Sequence, residues 1–188
     1  MSRIERERNP ALDDQRLVKQ FLNGDKGAFN ELVRKYQKPV YQIARKLLNS
    51  HEEAQDIAQE VFIKVYHKLE HYRGEASFFT WIYQITKNLS FNHLRKRKMH
   101  QILSLEHVGM SIASSQPSAS SLVEGKETEI LLNKAIERLP KKQKLVFYLR
   151  YYQKLPHAEI ARIMNREIGT VKANYHQAVR KLREAIGK

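Results

Sequence analysis

Cysteine is absent from this chain of 188 residues, which excludes disulfides and thiolate metal sites. No apolar run approaches the ~18 residues that a membrane-spanning helix needs. The N-terminal stretch MSRIERERNP is charged and has no apolar core, so no secretory signal is visible. The simplest expectation is a cytosolic protein without a membrane span.

Sequence signatures of catalysis are also missing. There is no glycine-rich phosphate loop, no Gly-x-Ser-x-Gly motif and no cysteine nucleophile. His67 and His71 lie four residues apart on a predicted helix, as two metal ligands can. No third ligand is evident, so a solvated histidine pair is the better interpretation. We therefore predict no catalytic residue, no metal and no cofactor, and we do not expect an enzyme.

Positive charge is what the chain has in excess. It carries 34 Lys and Arg against 20 Asp and Glu, which gives a formal net charge of +14. A balance of this kind points to a polyanionic partner such as nucleic acid. An anionic membrane is the weaker alternative, because the sequence contains no membrane segment.

A compositional break divides the chain. Residues 99–125 contain no Lys or Arg and are rich in serine. Small polar residues cannot bury enough apolar surface to fold alone, so this stretch predicts a flexible linker. Both flanks have apolar residues at helical spacing and no alternating strand pattern. We predict an all-α protein whose two small helical domains, 1–100 and 126–188, are joined by a flexible linker over 101–125.

Local signals place the helices. Asp25 and Ser50 are predicted N-caps, and Ser50 with Glu53 has the spacing of a capping box. Pro39 is expected to break or kink the helix between them. The predicted helices are Leu12 to Leu22, Asp25 to Leu48, Ser50 to about His71, about Thr80 to Met99, one ending at Pro140, one beginning there, Pro156 to Met164, and Ile168 to Ile186.

The segment PHAEIARIMNREIGTVKANYHQAVRKLREA predicts a helix-turn-helix in the C-terminal domain. Asn165 lies at the turn, because asparagine tolerates the left-handed backbone region. Ile160, Met164, Ile168 and Val171 are the expected packing residues. A second helix of this kind fits the major groove of DNA.

Charge supports duplex binding by this segment. From Arg138 to Lys188 there are thirteen Lys and Arg against three Glu. Neutralising phosphates gives strong, salt-sensitive affinity. Asn174 and Gln177 are each able to pair with adenine through two hydrogen bonds, one from the amide nitrogen and one to the amide oxygen. A helical hairpin with a solvated basic face is the alternative interpretation.

Aromatic residues lie beside a run of basic residues in the N-terminal domain. The aromatic residues are Tyr72, Phe78, Phe79, Trp81, Tyr83 and Phe91, and the basic residues are Lys87, Arg95, Lys96, Arg97 and Lys98. Aromatic faces stack on unpaired bases while cations follow the phosphates, so this group predicts a platform for single-stranded DNA. The alternative is that about half of the rings are core, although Phe78, Phe79 and Tyr83 are less easily all buried together.

One stretch, HEEAQDIAQEVF at His51–Phe62, is acidic in this basic chain. Glu52 lies in the first turn of a predicted helix, where the helix dipole favours anions. Asp56 and Glu60 lie beyond it and continue an i, i+4, i+8 row of like charge. This face is unsuited to DNA, so it predicts a second partner that is a basic protein.

These features together resemble the extracytoplasmic-function sigma factors, the small two-domain class that directs bacterial RNA polymerase to promoters. The similar stretches are GDKGAFNELVRKYQ, AQDIAQEVFIKVY, YRGEASFFTWIYQITKNLSFNHLRKRK, LPKKQKLVFYLRYYQKLPHAEIARIM and IGTVKANYHQAVRKLRE. Their order, their spacing and the intervening linker cover nearly the whole chain. The resemblance implies one domain that binds core polymerase and the −10 element, and a helix-turn-helix domain that binds the −35 element.

The resemblance also implies residue roles. The residues expected to grip the β′ clamp helices of polymerase are Asp56, Gln59, Glu60, Phe62 and Ile63. Those expected at the melted −10 element are Tyr72, Gly74, Glu75, Ala76, Ser77, Phe78, Phe79, Trp81, Asn88, Arg95, Lys96 and Arg97. Those expected at the −35 duplex are Thr170, Lys172, Ala173, Asn174, His176, Gln177 and Arg180. Ala173 and Asn174 depart from a common TVKSR pattern of the family, so the identity of the −35 bases that this helix reads does not follow from the resemblance.

The implied partners are core RNA polymerase, through its β′ and β subunits, and promoter DNA as duplex and as single strand. An anti-sigma factor is also implied, which would hold the protein inactive in the cytoplasm or at the inner membrane face. The residues alone leave one other interpretation open, a DNA-binding regulator with an N-terminal oligomerisation or interaction domain. The two differ in whether the protein programs core polymerase to initiate.

Overall fold

The computed structural model describes the backbone of residues 10–107 and 124–187. Within these ranges the chain is helical and has no strand, as predicted for the all-α class. The helices are α1 (Pro10–Leu22), α2 (Lys26–Leu48), α3 (His51–Lys68), α4 (Phe78–His107), α5 (Glu124–Glu137), α6 (Lys141–Tyr151), α7 (His157–Met164) and α8 (Ile168–Ile186), with a 3₁₀ turn at Leu69–His71. No helix in the described part of the chain is long and apolar enough to cross a membrane.

The chain divides into two compact units. The first contains α1 to α3, and the second contains α5, α6 and α8. Most of the predicted linker, residues 108–123, lies outside the described residues. Its two ends are helical, because α4 continues to His107 and α5 begins at Glu124. The domain limits at 100 and 126 remain predictions.

The core of the first unit forms where α2 packs against α1 and α3. Its buried side chains follow the helical period, which is why three amphipathic helices assemble around one apolar interior. They include Leu17, Leu32, Val40, Ile43, Ala44, Ala54, Ile57, Val61 and Val65. The predicted cap at Asp25 is confirmed, since its Oδ1 accepts a 2.8 Å hydrogen bond from the backbone N–H of Gly27.

Helix α2 continues through Pro39, so the chain does not break there. A proline inside a helix removes one backbone hydrogen bond and costs about 3 kcal/mol. The neighbouring Tyr36 and Val40 are 5% and 0% exposed, so the turns on both sides of the proline face the core. Their burial favours a continuous helix and offsets the lost bond.

The core of the second unit forms where α8 packs against α5 and α6. Its apolar cluster consists of Ala135, Ile136, Leu139, Phe147, Ala178 and Leu182. The turn between α7 and α8 lies where it was predicted, and Asn165 there has the expected left-handed φ of 52°. One predicted packing position is wrong, because Ile168 is 44% exposed.

Candidate functional site

The acidic face of α3 begins at a helix cap. Ser50 has extended backbone angles, and its Oγ accepts a 3.3 Å hydrogen bond from the N–H of Glu53. Glu52 and Glu53 occupy the first turn, where their charge opposes the positive end of the helix dipole. The cap predicted from the sequence is therefore present, and it accounts for the first two acidic residues.

Asp56 and Glu60 need a different explanation. Both are exposed, on the side of α3 away from the buried Ile57, Val61 and Val65. Neither carboxylate forms an ion pair within the described residues, so Lys64 does not neutralise the row. Like charges four residues apart destabilise a helix by about 0.2–0.5 kcal/mol per pair. The row is thus a small structural cost with no internal compensation.

An open groove of about 820 Å³ lies between α2 and α3, next to this row. The α3 side includes Gln59, Phe62 and Ile63, three of the five residues predicted to face polymerase. Ile63 is 60% exposed, so its apolar side chain is accessible to a partner. Residues three apart are neighbours on a helix, so Asp56 adjoins Gln59 and Glu60 adjoins Ile63. The structure therefore brings all five predicted residues to one surface.

The α2 side of the groove was not predicted. It is formed by Val33, Gln37, Lys38 and Tyr41. Three of these follow one another at intervals of four residues, beside the buried stripe of α2. The helical period places this row on one face of α2 and could have been found in the sequence. Only the packing of α2 beside α3 shows that the row lines a groove.

The loop before α4 collects most of the predicted −10 residues. Its pocket of about 290 Å³ is lined by His71, Tyr72, Arg73, Gly74, Glu75, Ala76, Trp81 and Gln84. Gly74 has φ of 75°, a conformation that side-chain-bearing residues rarely adopt. The Tyr72 hydroxyl donates a 2.6 Å hydrogen bond to the carbonyl oxygen of Ala76 and closes the loop. Burial, with a smaller effect of Asp14, raises the pKa of Tyr72, so this donor keeps its proton.

Ser77 fixes the junction between the loop and α4. Its Oγ accepts a 3.2 Å hydrogen bond from the N–H of Thr80 and lies 2.9 Å from the Thr80 hydroxyl. A serine in this position satisfies a backbone donor that the first turn of a helix leaves free. The position of Ser77 therefore has a structural cause, whatever else it contacts.

The aromatic residues divide into supporting and accessible rings. Phe78 is 2% exposed and Tyr83 is 1% exposed, whereas Phe79 is half-buried, so two of these three rings are core and the third is not fully buried with them. The Phe78 ring packs against Tyr72 and Trp81, with centroids 5.8 and 5.7 Å apart. Tyr72 and Trp81 are half-buried and keep a face at the pocket. Phe79 is half-buried against Tyr83, with centroids 4.1 Å apart, and does not line the pocket.

The remaining −10 residues follow along α4. Asn88, Arg95, Lys96 and Arg97 are all exposed. The Arg95 guanidinium donates a 3.3 Å hydrogen bond to Asn92 on the same helix. Exposed cations at this spacing are suited to phosphate contacts, which need charge but little shape.

The predicted −35 residues share the outer face of α8. Thr170, Lys172, Ala173, His176, Gln177 and Arg180 are exposed and Asn174 is half-buried. Val171, Ala178 and Leu182 are buried on the opposite face. Helical periodicity thus separates a packing face from a polar, basic face, as the sequence predicts.

Two amides on this face already hold partners. Nδ2 of Asn174 donates a 2.8 Å hydrogen bond to the carbonyl oxygen of Thr170. Oε1 of Gln177 accepts a 2.7 Å hydrogen bond from Gln143 of α6. Each amide has one atom engaged, Nδ2 in Asn174 and Oε1 in Gln177, so a protein partner sets the orientation of each amide. Gln143 itself was missed, because no sequence signal links residues 34 positions apart.

No metal centre is evident at the predicted histidine pair. In the part of the chain that the structure describes, no three histidine, aspartate or glutamate side chains form a group that could hold a metal ion. Nδ1 of His71 lies 3.4 Å from Oε1 of the neighbouring Glu70, and both side chains are exposed.

Comparison with known proteins decides the family. Residues 32–99 match the model of sigma-70 region 2, and residues 130–182 match that of sigma-70 region 4. The RNA polymerase sigma-H factor of Pseudomonas aeruginosa is 34% identical over 186 residues, covering 93% of this chain and 92% of that protein. The ECF RNA polymerase sigma factor SigW of Bacillus subtilis is 32% identical over 176 residues, covering 90% of this chain and 94% of that protein.

This chain belongs to the extracytoplasmic-function RNA polymerase sigma factors. The ECF sigma-E factor of Escherichia coli K12 is a further relative, 32% identical over 182 residues and matched over 93% of each chain. As a member of this family the sigma factor is a transcription initiation protein rather than an enzyme. The region 2 match contains the acidic row, the groove and the aromatic pocket, and the region 4 match contains every predicted −35 residue.

Solved structures show the same fold for the sigma factor. CnrH, solved with the cytosolic domain of CnrY, aligns with a TM-score of 0.68 at 18% identity over 93% of this chain and 97% of that one. The sigma factor RpoE of Bartonella quintana, solved with the anti-sigma factor NepR, aligns with a TM-score of 0.64 at 19% identity over 85% of this chain and 96% of that one.

Proposed function

We propose that this sigma factor binds core RNA polymerase, recognises the −35 element as duplex and the −10 element as a melted strand, and thereby directs initiation. The observation that supports this best is the separation of three surfaces of different chemistry. One is acidic and apolar, one is an aromatic pocket, and one is a basic helix face. A DNA-binding regulator with an interaction domain could use the basic face and the acidic surface, but it has no use for a pocket that holds an unstacked base.

Docking on core polymerase uses the groove between α2 and α3. Unpaired carboxylates at Asp56 and Glu60 attract a basic surface and suppress wrong partners. Phe62 and Ile63 supply apolar area that can be buried on contact. The partner that fits is the pair of clamp helices of the β′ subunit. The β subunit of core polymerase is a second proposed contact.

The aromatic pocket holds an unstacked base of the melted −10 strand. Tyr72 and Trp81 present ring faces at its wall, and base stacking on such rings contributes about 1–3 kcal/mol per base. Gly74 lets the loop turn without a side chain blocking the pocket. Arg95 and Lys96, with Arg97, contact the phosphates, and Asn88 adds a polar contact.

The outer face of α8 reads the −35 duplex in the major groove. Lys172 and Arg180 make phosphate contacts, which supply most of the affinity and make it salt-dependent. Asn174, His176 and Gln177 supply the hydrogen-bonding groups that can distinguish bases. Thr170 and Ala173 lie at the same face, where a methyl group can contact thymine.

An anti-sigma factor controls the protein in this proposal. Two structures with the same fold were solved in complexes, one with an anti-sigma factor. A partner that covers the α2–α3 groove would compete directly with polymerase. The protein would then act in the cytoplasm, and an anchored anti-sigma factor would hold it at the inner membrane face.

Direct binding to core polymerase tests the proposal. The full chain, labelled with a fluorophore, is titrated with purified bacterial core enzyme in the absence of DNA. Saturable binding that falls with increasing salt is the expected result, because charged surfaces steer the encounter. The absence of binding at low salt would contradict the proposal and favour a regulator that recognises DNA alone.

A further inference from the structure

Three side chains form a continuous hydrogen-bonded series between α6 and α8. Nζ of Lys181 donates a 3.1 Å hydrogen bond to Oε1 of Gln143, and Nε2 of Gln143 donates a 2.7 Å hydrogen bond to Oε1 of Gln177. Gln143 is 7% exposed, whereas Lys181 and Gln177 are exposed on α8. We call Lys181, Gln143 and Gln177 the amide relay.

Charge fixes the direction of every bond in the amide relay. An ammonium group donates and cannot accept, so the Gln143 atom that faces Lys181 must be the carbonyl oxygen. The amide nitrogen of Gln143 therefore faces Gln177, and the atom that accepts its hydrogen bond must be the Gln177 oxygen. An isolated glutamine has no such constraint, because its two amide orientations are nearly equivalent. The Nε2 of Gln177, which has no partner among the described residues, is left as a donor.

Asn174 has the opposite polarity. Its Nδ2 donates to the Thr170 carbonyl oxygen, which can only accept, so the orientation of this amide is fixed and Oδ1 has no partner among the described residues. Positions 174 and 177 are three residues apart and are neighbours on the helix surface. The outer face of α8 therefore carries a fixed acceptor beside a fixed donor, rather than two adaptable amides.

We propose that Gln143 is a positioning residue that sets the base preference of Gln177 without touching DNA. The inference rests on the proposed reading of the −35 duplex by α8. A lone amide donor pairs with the acceptors of the major groove, which are N7 and O6 of guanine, N7 of adenine and O4 of thymine. It is mismatched with the N4 amine of cytosine, which is itself a donor. The position read by Gln177 therefore discriminates against cytosine.

The substitution Gln143→Glu reverses the relay. A carboxylate only accepts, so one oxygen keeps the bond from Lys181 and the other faces Gln177 as an acceptor. Gln177 then turns its Nε2 inward and presents Oε1 to the DNA. An outward acceptor pairs with the amines of the major groove, which are N4 of cytosine and N6 of adenine, so cytosine should gain about fivefold over guanine and thymine for one hydrogen bond. Gln143→Leu removes both bonds and should flatten the preference instead.

Selection from a promoter library by the holoenzyme tests the relay. The full-length protein with core polymerase selects from fragments randomised across the −35 element, and bound DNA is sequenced for wild type, Gln143→Glu and Gln143→Leu. Ala185→Glu adds the same charge at an exposed position of α8 and is the matched control. It should lower affinity uniformly and leave the base preference unchanged. The double variant Gln143→Glu with Gln177→Ala should lose the new preference for cytosine.

The outcomes separate the relay from the function on which it rests. A defined −35 preference in wild type that is identical in Gln143→Glu and Gln143→Leu would overturn the relay and leave the proposed function standing. A switch to cytosine that also occurs in Ala185→Glu would equally overturn it, because charge alone would then be sufficient. If wild-type holoenzyme selects no −35 sequence, the proposed reading by α8 fails and the relay fails with it.

Discussion

The hydroxyl of Tyr36 donates a 2.6 Å hydrogen bond to Oδ2 of Asp14, joining α2 to α1 through a carboxylate that is 2% exposed. Nζ of Lys35 lies 2.5 Å from the other oxygen of Asp14, so the buried charge is paired. The Tyr36 ring packs edge-on against Phe78, with centroids 5.3 Å apart. Phe78 in turn supports Tyr72, so this buried pair lies beneath the proposed −10 pocket.

Removing the Tyr36 hydroxyl should destabilise the first unit. Tyr36→Phe keeps the ring and leaves one oxygen of a buried carboxylate without its donor, which costs about 1.5–3 kcal/mol. Urea unfolding followed by circular dichroism measures the loss. Tyr41→Phe removes a bond to His51 that is exposed, and this control should stay within about 0.5 kcal/mol. An equal effect of the two substitutions would contradict the account of Asp14.

The same hydroxyl should make stability sensitive to alkaline pH. Burial, with the hydrogen bond to Asp14, raises the pKa of Tyr36 above its ordinary value. The unfolded chain therefore releases this proton first, near pH 10, and the Tyr36 contribution is complete below that pH and declines above it. Unfolding measured between pH 8 and 11 should show a shallower alkaline loss for Tyr36→Phe than for wild type. Identical slopes would mean that Tyr36 titrates as it does in the unfolded chain.

Asp56 and Glu60 should contribute to polymerase affinity and little to folding. The double variant Asp56→Ala with Glu60→Ala removes the charges proposed to meet basic side chains of the clamp helices. We expect binding to core polymerase to weaken about tenfold, because truncating interfacial charges commonly costs more than 1 kcal/mol. Binding of duplex −35 DNA to the outer face of α8, measured with the free protein, should be unchanged.

The matched control for that prediction removes two other exposed carboxylates. Glu31→Ala with Glu70→Ala makes the same change in net charge away from the groove. Its core affinity should equal that of wild type. If both double variants weaken binding equally, net charge rather than the acidic row of α3 controls docking.

Phe78 and Trp81 should give different defects. Phe78→Ala removes a buried ring and should destabilise the protein by about 3–5 kcal/mol. Trp81→Ala should destabilise it less and should reduce permanganate reactivity of −10 thymines in open complexes, because a stacking face is lost. Normal permanganate reactivity in folded Trp81→Ala holoenzyme would remove Trp81 from the proposed pocket. Phe78→Ala does not test strand capture, because loss of folding would explain any defect.

Lys172 should contribute to affinity through a phosphate. Lys172→Ala should weaken duplex binding similarly for all sequences and reduce the slope of log affinity against log salt by about 0.9. Fluorescence anisotropy at several salt concentrations measures this slope. Lys134→Ala, on the exposed side of α5, is the control and should leave it unchanged. A change in base preference without a change in slope would assign Lys172 to a base instead.

Local chemistry explains which elements were predictable from the sequence. The caps at Asp25 and Ser50 and the turn at Asn165 depend on residues within three positions of each other, and all three lie as predicted. The continuous helix through Pro39 depends on packing between helices, which overrides a local penalty. Ile168 fits the apolar pattern of α8 and is nevertheless 44% exposed.

The site was predictable to the same extent. Exposure of the polar face of α8 and of the acidic row follows from the helical period. The burial of Phe78 and Tyr83 does not, because several rings satisfy the same pattern and contacts with Tyr36 and Phe79 decide between them. The bond from Gln143 to Gln177 joins two helices and leaves no trace in the sequence between them.

Run-off transcription tests whether this sigma factor directs initiation by core polymerase. Purified core polymerase is incubated with a library of bacterial promoter fragments, with and without the full chain, and transcripts are mapped at their 5′ ends. We expect discrete starts that depend on this protein and lie downstream of a shared pair of sequence elements. Transcripts no greater than the core background on every fragment would contradict this expectation.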